Sequence, residues 1–218
     1  MYKIMKINKL LIIVVAFTMT IKSFAQVKYG VKAGLNLANM LEKDDDDTYS
    51  DDYSMKIGFH LGGTAEIPIS EKFSVQPGLL FSTKGYKMKI EGIDGFEEAM
   101  NINVNLNYLE IPINAIYKIE LGYSKLCINA GPYLGYALSG KVSYDEDSES
   151  IDIGSSDDDD LKALDYGFNI GAGIEINDAI TIGLQYGLGL GNLFIDTDNG
   201  YKLNNRVIGI SVGYMFGQ

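Results

Sequence analysis

Along most of the chain, apolar residues recur at every second position, the period of a β-strand whose two faces meet different surroundings. The clearest run is Leu164, Tyr166, Phe168, Ile170, Ala172, Ile174 and Ile176, interleaved with Asp165, Gly167, Asn169, Gly171, Gly173, Glu175 and Asn177. The next segment repeats it, with Ile180, Ile182, Leu184, Tyr186, Leu188 and Leu190 against Thr181, Gly183, Gln185, Gly187, Gly189 and Gly191. Read in this way, the sequence predicts eight strands, over residues 28–37, 55–69, 72–89, 101–119, 124–140, 162–177, 179–192 and 204–216. All reach the roughly 9 to 11 residues that a tilted strand needs to cross a bilayer.

The connections carry an independent signal. Those after the second, fourth and sixth strands are short: Ser70-Glu71, Glu120 to Tyr123, and Asp178. Those after the first, third, fifth and seventh are longer and polar, over 38–54, 90–100, 141–161 and 193–203. Loop length sorted by parity is what an up-and-down barrel produces when its two rims face different compartments. Backbone groups left unpaired in hydrocarbon cost several kcal/mol each, so a sheet enters lipid only when closed into a ring. The predicted fold is therefore all-β: an eight-stranded antiparallel up-and-down transmembrane barrel.

The alternation breaks in the fourth strand, where Ile102, Val104 and Leu106 give way to Leu109, Ile111, Ile113 and Ala115. A β-bulge near Asn107 and Tyr108 is the expected remedy, restoring an outward apolar face. Pro112 and Pro132 sit inside strands and lack a ladder donor, which calls for a bulge or bend at each. Glu66-Ile67-Pro68-Ile69 and Glu110-Ile111-Pro112-Ile113 form a weak repeat, expected late in an even strand just before a short turn.

The N-terminus reads as a cleavable signal peptide over residues 1–25: Lys3, Lys6 and Lys9 precede the apolar run 10–17, and Ser23-Phe24-Ala25 supplies small residues before Gln26. The run is too short for a spanning helix, so a retained anchor is the weaker reading. Removing 25 residues that hold four lysines and no acid takes the chain from 218 to 193 residues and the formal charge from −11 to −15. The mature part, 26–218, then forms one domain. Its acidity excludes nucleic acid as a partner, because a phosphate backbone needs a basic face. A lone Cys127 excludes an intrachain disulfide. The 25 glycines and 15 tyrosines suit a barrel better than a soluble α/β enzyme.

Candidate chemistry is sparse. By phase, the lumen collects Lys32, Glu66, Glu110, Asp165 and Glu175, with Lys84 and Arg206, as a charge network that fills a small barrel. A proton or ion path through it is the rival reading. Two acidic runs, Asp44, Asp45, Asp46 and Asp47 with Asp51-Asp52, and Asp157, Asp158, Asp159 and Asp160, fall in long loops. They lack EF-hand spacing and read as solvated loops or weak divalent-cation sites. His60 and Cys127 point inward as packing residues, without the base and orienting group a nucleophile needs. Gly187 to Gly191 imitates a nucleotide loop but lies inside a strand period with no helix after it. No cofactor is expected. Tyr29, Tyr117 and Tyr214 toward one rim, and Tyr53, Phe59, Tyr86, Tyr136, Tyr166 and Phe168 toward the other, are candidates for interfacial girdles.

The chain resembles the PorT-like outer-membrane β-barrel family through Tyr29-Gly30-Val31-Lys32-Ala33-Gly34-Leu35-Asn36, Gln76-Pro77-Gly78-Leu79-Leu80-Phe81-Ser82 with Lys84-Gly85, Tyr108-Leu109-Glu110-Ile111-Pro112, Ala130-Gly131-Pro132-Tyr133 and Val212-Gly213-Tyr214-Met215-Phe216. These patterns cover nearly the whole mature chain, and none is catalytic. The resemblance implies an outer-membrane barrel of OmpA or OmpX size with a link to secretion or surface assembly. One departure is that Gly217-Gln218 follow Phe216, where such barrels end on an aromatic residue read by the assembly machinery. The expected protein is a monomeric structural or interaction barrel in the bacterial outer membrane, with both termini periplasmic. Its partners would be outer-membrane lipid, the barrel assembly machinery, and a protein at the outer loops. Two alternatives stay open: a soluble lipocalin-like barrel holding a small apolar ligand, which needs the apolar face turned inward, and a membrane-embedded enzyme.

Overall fold

A computed structural model describes residues 27–43, 53–90, 100–144, 147–156, 158–195 and 200–216. The expected signal peptide, the acidic run 44–47 with 51–52, and Asp157 lie outside these residues. Among the described residues there are eleven strands: β1 (Lys28–Lys43), β2 (Tyr53–Pro68), β3 (Phe73–Ile90), β4 (Met100–Leu121), β5 (Ser124–Tyr144), β6 (Asp147–Ile151), β7 (Ile153–Gly154), β8 (Leu161–Lys162), β9 (Leu164–Ile176), β10 (Ile180–Gly189) and β11 (Lys202–Phe216). Eight of them, β1 to β5 and β9 to β11, pair antiparallel with their neighbours in sequence order. The ring closes where β1 meets β11, from Tyr29 opposite Phe216 to Lys43 opposite Lys202. The eight-stranded ring itself has no edge, so its backbone is fit for hydrocarbon.

The alternation falls out as the sequence predicts over most of the ring. In β9, Leu164, Tyr166, Phe168 and Ile170 are exposed outward while Asp165, Asn169 and Glu175 are buried inside. Leu, Ile and Tyr thus face away from the lumen, which overturns the soluble lipocalin-like alternative for this part of the barrel. The tightest connection is Asn177-Asp178: both have positive φ (52° and 57°), as a type I′ hairpin turn requires, and Ala179 N–H closes it onto Ile176 O at 3.2 Å.

The fourth strand behaves differently from the expectation. β4 keeps one phase from end to end: Val104, Leu106, Tyr108, Asn114 and Ile116 are all buried, and Leu109, Ile111 and Ile113 are all exposed. A register shift does occur at Asn107 and Tyr108, but the extra residue is Leu138 of the partner strand. The apolar positions change phase because the surroundings invert, not the strand. Below Tyr108 the barrel is polar inside and apolar outside. Above it the interior is an apolar core of Met40, Val104, Leu106, Ala137, Leu193 and Leu203.

The prolines also need no bulge. The β3–β4 ladder resumes in register between Leu80–Glu110 and Pro77–Ile113, as does β4–β5 between Pro112–Tyr133 and Ala115–Ala130. Pro77, Pro112 and Pro132 share one patch of three adjacent strands, so their missing donors coincide. The tetrapeptide repeat is not positional: Glu66 lies near the end of β2, whereas Glu110 is mid-strand in β4. Finally, the loop expected over 141–161 is largely ordered. β5 runs on to Tyr144 and pairs with β6, while β7 and β8 form a short parallel pair.

Candidate functional site: the lumen and its closed mouth

From the short-turn end upward, the lumen is filled in layers. The lowest is built on Lys118, which lies 2.6 Å from Glu66 and 2.7 Å from Glu175. Lys125 sits 3.8 Å from Glu175 and pairs with Asp178 of the turn. This hydrogen bond from the Lys125 ammonium holds the Asp178 carboxyl below the usual carboxylate range. Lys118 takes the same inward phase as Glu110, eight residues on in one strand. Sequence reasoning placed Glu110 in the network and overlooked Lys118, although the signal was identical.

The middle layer holds neutral groups and one further cation. Lys32 Nζ donates to Gln185 Oε1 at 3.3 Å. Asn36 Nδ2 donates to Ser82 Oγ (3.1 Å) and Thr83 O (3.0 Å), so its oxygen faces His60 Nδ1 at 2.8 Å, which must then carry the proton. The amide thus bonds both the imidazole and the hydroxyl. His60 lies against Gly34, where a Cβ would come within 2.6 Å of its ring. Two cavities of about 50 and 60 Å³ flank this layer and share Lys32, Gln185 and Ser211. Each has room for a few waters. Cys127 lines the lower one and is buried.

The upper layer centres on Lys84, fully enclosed between Glu110 and Asp165 (3.0 Å to Asp165). Tyr133 Oη (3.1 Å) and Asn205 Nδ2 (2.8 Å) both donate to Asp165 Oδ2. The ammonium lies 4.9 Å and 4.6 Å from the ring centres of Tyr108 and Tyr133, within cation–π range. Arg206 stands outside all three layers. It takes the outward phase of Ile208 and Ile210, and its guanidinium donates to Gly189 O (2.8 Å) and Asn205 O (3.0 Å).

Above the upper layer, an apolar core narrows the mouth around a pocket of about 360 Å³ lined by Met40, Val104, Ile151 and Leu203. Leu193 is fully buried, and its backbone is pinned by Lys162 N–H to Leu193 O (2.8 Å) and Leu193 N–H to Leu203 O (2.9 Å). Ile151, Ile153, Leu161 and Phe194 from the loops pack onto it. Tyr53 and Tyr86, expected in an outer girdle, instead stack at 4.4 Å against this core, and Tyr53 donates to Glu42. Phe59, Tyr136, Tyr166 and Phe168 do face outward, as do Tyr29, Tyr117 and Tyr214 at the other end. The carboxylates of Asp159 and Asp160 accept from Ser156 N–H (2.6 Å) and Asp152 N–H (2.9 Å), binding their own loop. Among the described residues, no cluster of three or more candidate ligands has metal-site geometry.

A family model described as outer membrane protein beta-barrel domain matches residues 24–195. Among solved structures, the chain is similar to Ail, the attachment invasion locus protein of Yersinia pestis (18% identity, 87% of this chain and 98% of that one, TM-score 0.40). It is similar also to Neisserial surface protein A, NspA (15%, 86% and 95%, TM-score 0.44), and to OprG from Pseudomonas aeruginosa (11%, 88% and 96%, TM-score 0.46). No curated protein matches the chain. Ring closure and the family match, rather than these distant likenesses, carry the fold assignment.

Proposed function

Because the chain belongs to the outer membrane protein beta-barrel domain family and is an integral barrel of the bacterial outer membrane, we propose that it works by presentation rather than by passage or catalysis. It is a monomer whose filled lumen makes a rigid post for the structured long-loop end. The termini and short turns face the periplasm, the long loops face outward, and the mature chain begins at Gln26. Within the wider family it is PorT-like, with a role tied to secretion or surface assembly through a protein bound at the outer loops. Lipid covers the band, and the assembly machinery reads the C-terminal strand.

One observation supports this most directly: ion-paired, neutral and ion-paired layers succeed one another up the lumen, with cavities of about 50 and 60 Å³ beside the neutral layer, and the larger space of about 360 Å³ lies above them in the apolar mouth. The His60–Asn36–Ser82 order, with the amide in the middle, favours a packing role over general-base chemistry. In planar bilayers the purified barrel should give no sustained ohmic conductance, and crosslinking from the outer loops in intact cells should yield a discrete adduct. Stable single-channel steps would overturn the reading.

A further inference from the structure

The outer wall is uneven just above its apolar band. In β4 the outward positions change from Leu109 to Asn107, Asn105, Asn103 and Asn101. The flanking strands carry Lys87 and Lys89 on β3 and Lys141 on β5 in the same outward phase, Lys87 opposite Asn103 and Lys141 opposite Asn105. Lys56 of β2, itself buried, reaches this row from beneath with its Nζ 2.7 Å from Asn103 Oδ1. No carboxylate takes an outward position on the described parts of β3, β4 or β5 above the band, in a chain of net charge −11. Asp147 and Glu149 of β6 pair opposite Tyr144 and Val142, on the other face. Among the described residues, Lys56, Lys87, Lys89 and Lys141 form no ion pair.

Beneath this row opens a groove lined by Leu35, Ile57, Phe59 and Phe81, with Thr83 and Asn107 at its polar end. It arises where β2 carries one residue more than β3 between the Met55–Tyr86 and His60–Ser82 pairs, so the ladder lapses. Thr83 Oγ1 repairs part of the gap by accepting from Phe59 N–H at 2.8 Å. The wall here has an apolar slot below and, above it, ammonium groups without a carboxylate partner among the described residues, interleaved with amides.

We infer that this sector, β2 to β5, holds a phosphate-bearing membrane lipid, with its headgroup on the row of exposed Lys87, Lys89 and Lys141 and an acyl chain in the groove. Ammonium and amide N–H groups are donors suited to phosphate oxygens, and lysine stems extend along apolar surface while their heads reach the interface. An acidic barrel repels anionic headgroups in general, so attraction is confined to the sector whose described residues carry no outward carboxylate. The inference rests on the membrane placement of the band and not on any partner at the loops.

The test uses the full chain refolded into phosphatidylcholine vesicles doped with phosphatidic acid, then extracted in mild detergent for native mass spectrometry. The wild type should retain phosphatidic acid in preference to phosphatidylcholine. Lys87→Gln with Lys141→Gln should lower that retention by about tenfold or more, since each juxtamembrane lysine contributes on the order of 1 kcal/mol toward an anionic headgroup. Lys43→Gln with Lys202→Gln makes the same charge change at the tips of β1 and β11 and should retain it as the wild type does. Equal losses in both pairs, or no preference for phosphatidic acid in the wild type, would overturn the inference. A chain that never associates with vesicles would sink the membrane placement itself.

Discussion

The two ends of this barrel are built on opposite plans. Toward the short turns the outside is apolar and the inside is a stack of ion pairs and amides. Toward the long loops the inside is an apolar core, while the outside of β3 to β5 is asparagine, serine and lysine. The same strands supply both plans without a break, and in β4 the exchange happens within a few residues: outward Leu109 gives way to Asn107, and inward Glu110 to Tyr108 and Leu106. Hydrophobic burial organises both halves, but its direction depends on which solvent lies outside. At 22 residues, β4 has a contour of about 70 Å at ~3.3 Å per residue, well beyond a membrane crossing. Its upper part behaves as a water-soluble protein fused in register to a membrane one.

Substitutions that force one half to obey the rules of the other sharpen this contrast. The largest effect is expected in the membrane half, at Lys84→Met, which strands Glu110 and Asp165 without their cation. Loss of one member of a buried charge set costs about 3–5 kcal/mol, readable as a lowered unfolding midpoint in detergent. Adding Glu110→Gln and Asp165→Asn should recover much of it.

In the other half, Leu106→Ala removes a fully buried side chain at a cost of about 2–4 kcal/mol. Its signature should be local: loops become protease-sensitive while the band stays folded. If the whole barrel melts together, the two halves are one cooperative unit.

The boundary itself is probed by Ile113→Arg and Asn105→Arg, both outward on β4. The first places a cation against acyl chains and should cost up to ~2–4 kcal/mol, and the second should be near zero. Similar penalties at both would move the boundary. The smallest effect is at Asp178→Asn. With its carboxyl held below the ordinary range, Asp178 stabilises the fold above the unfolded pKa, and this is lost as pH falls through the folded value. Exposure keeps the contribution small, so the variant should differ from wild type only slightly at neutral pH and converge with it in acid.

Strand count, loop parity and ring closure were legible because each is written in a period of two and in turn length. What escaped had specific causes. Ile102, Val104 and Leu106 were read as lipid-facing because one solvent was assumed along the whole strand. Arg206 was assigned to the lumen against the phase of Ile208 and Ile210, whereas Lys118 was passed over despite sharing the phase of Glu110. β6 to β8 are too short for periodicity to reveal, and they are ordered by the core beneath them. The Lys84 cage is only half visible in sequence: Glu110 and Asp165 have the right phase, yet their meeting at one height depends on register across the ring.

The mouth core draws Met40 from the first strand and Leu203 from the last, the two that complete the circle. While that seam is open, half of the lid has nothing to rest on. Zipping the final pair and shutting the top are therefore one event, and the moment the surface loops resist a protease during biogenesis dates the final stitch at the other side of the wall.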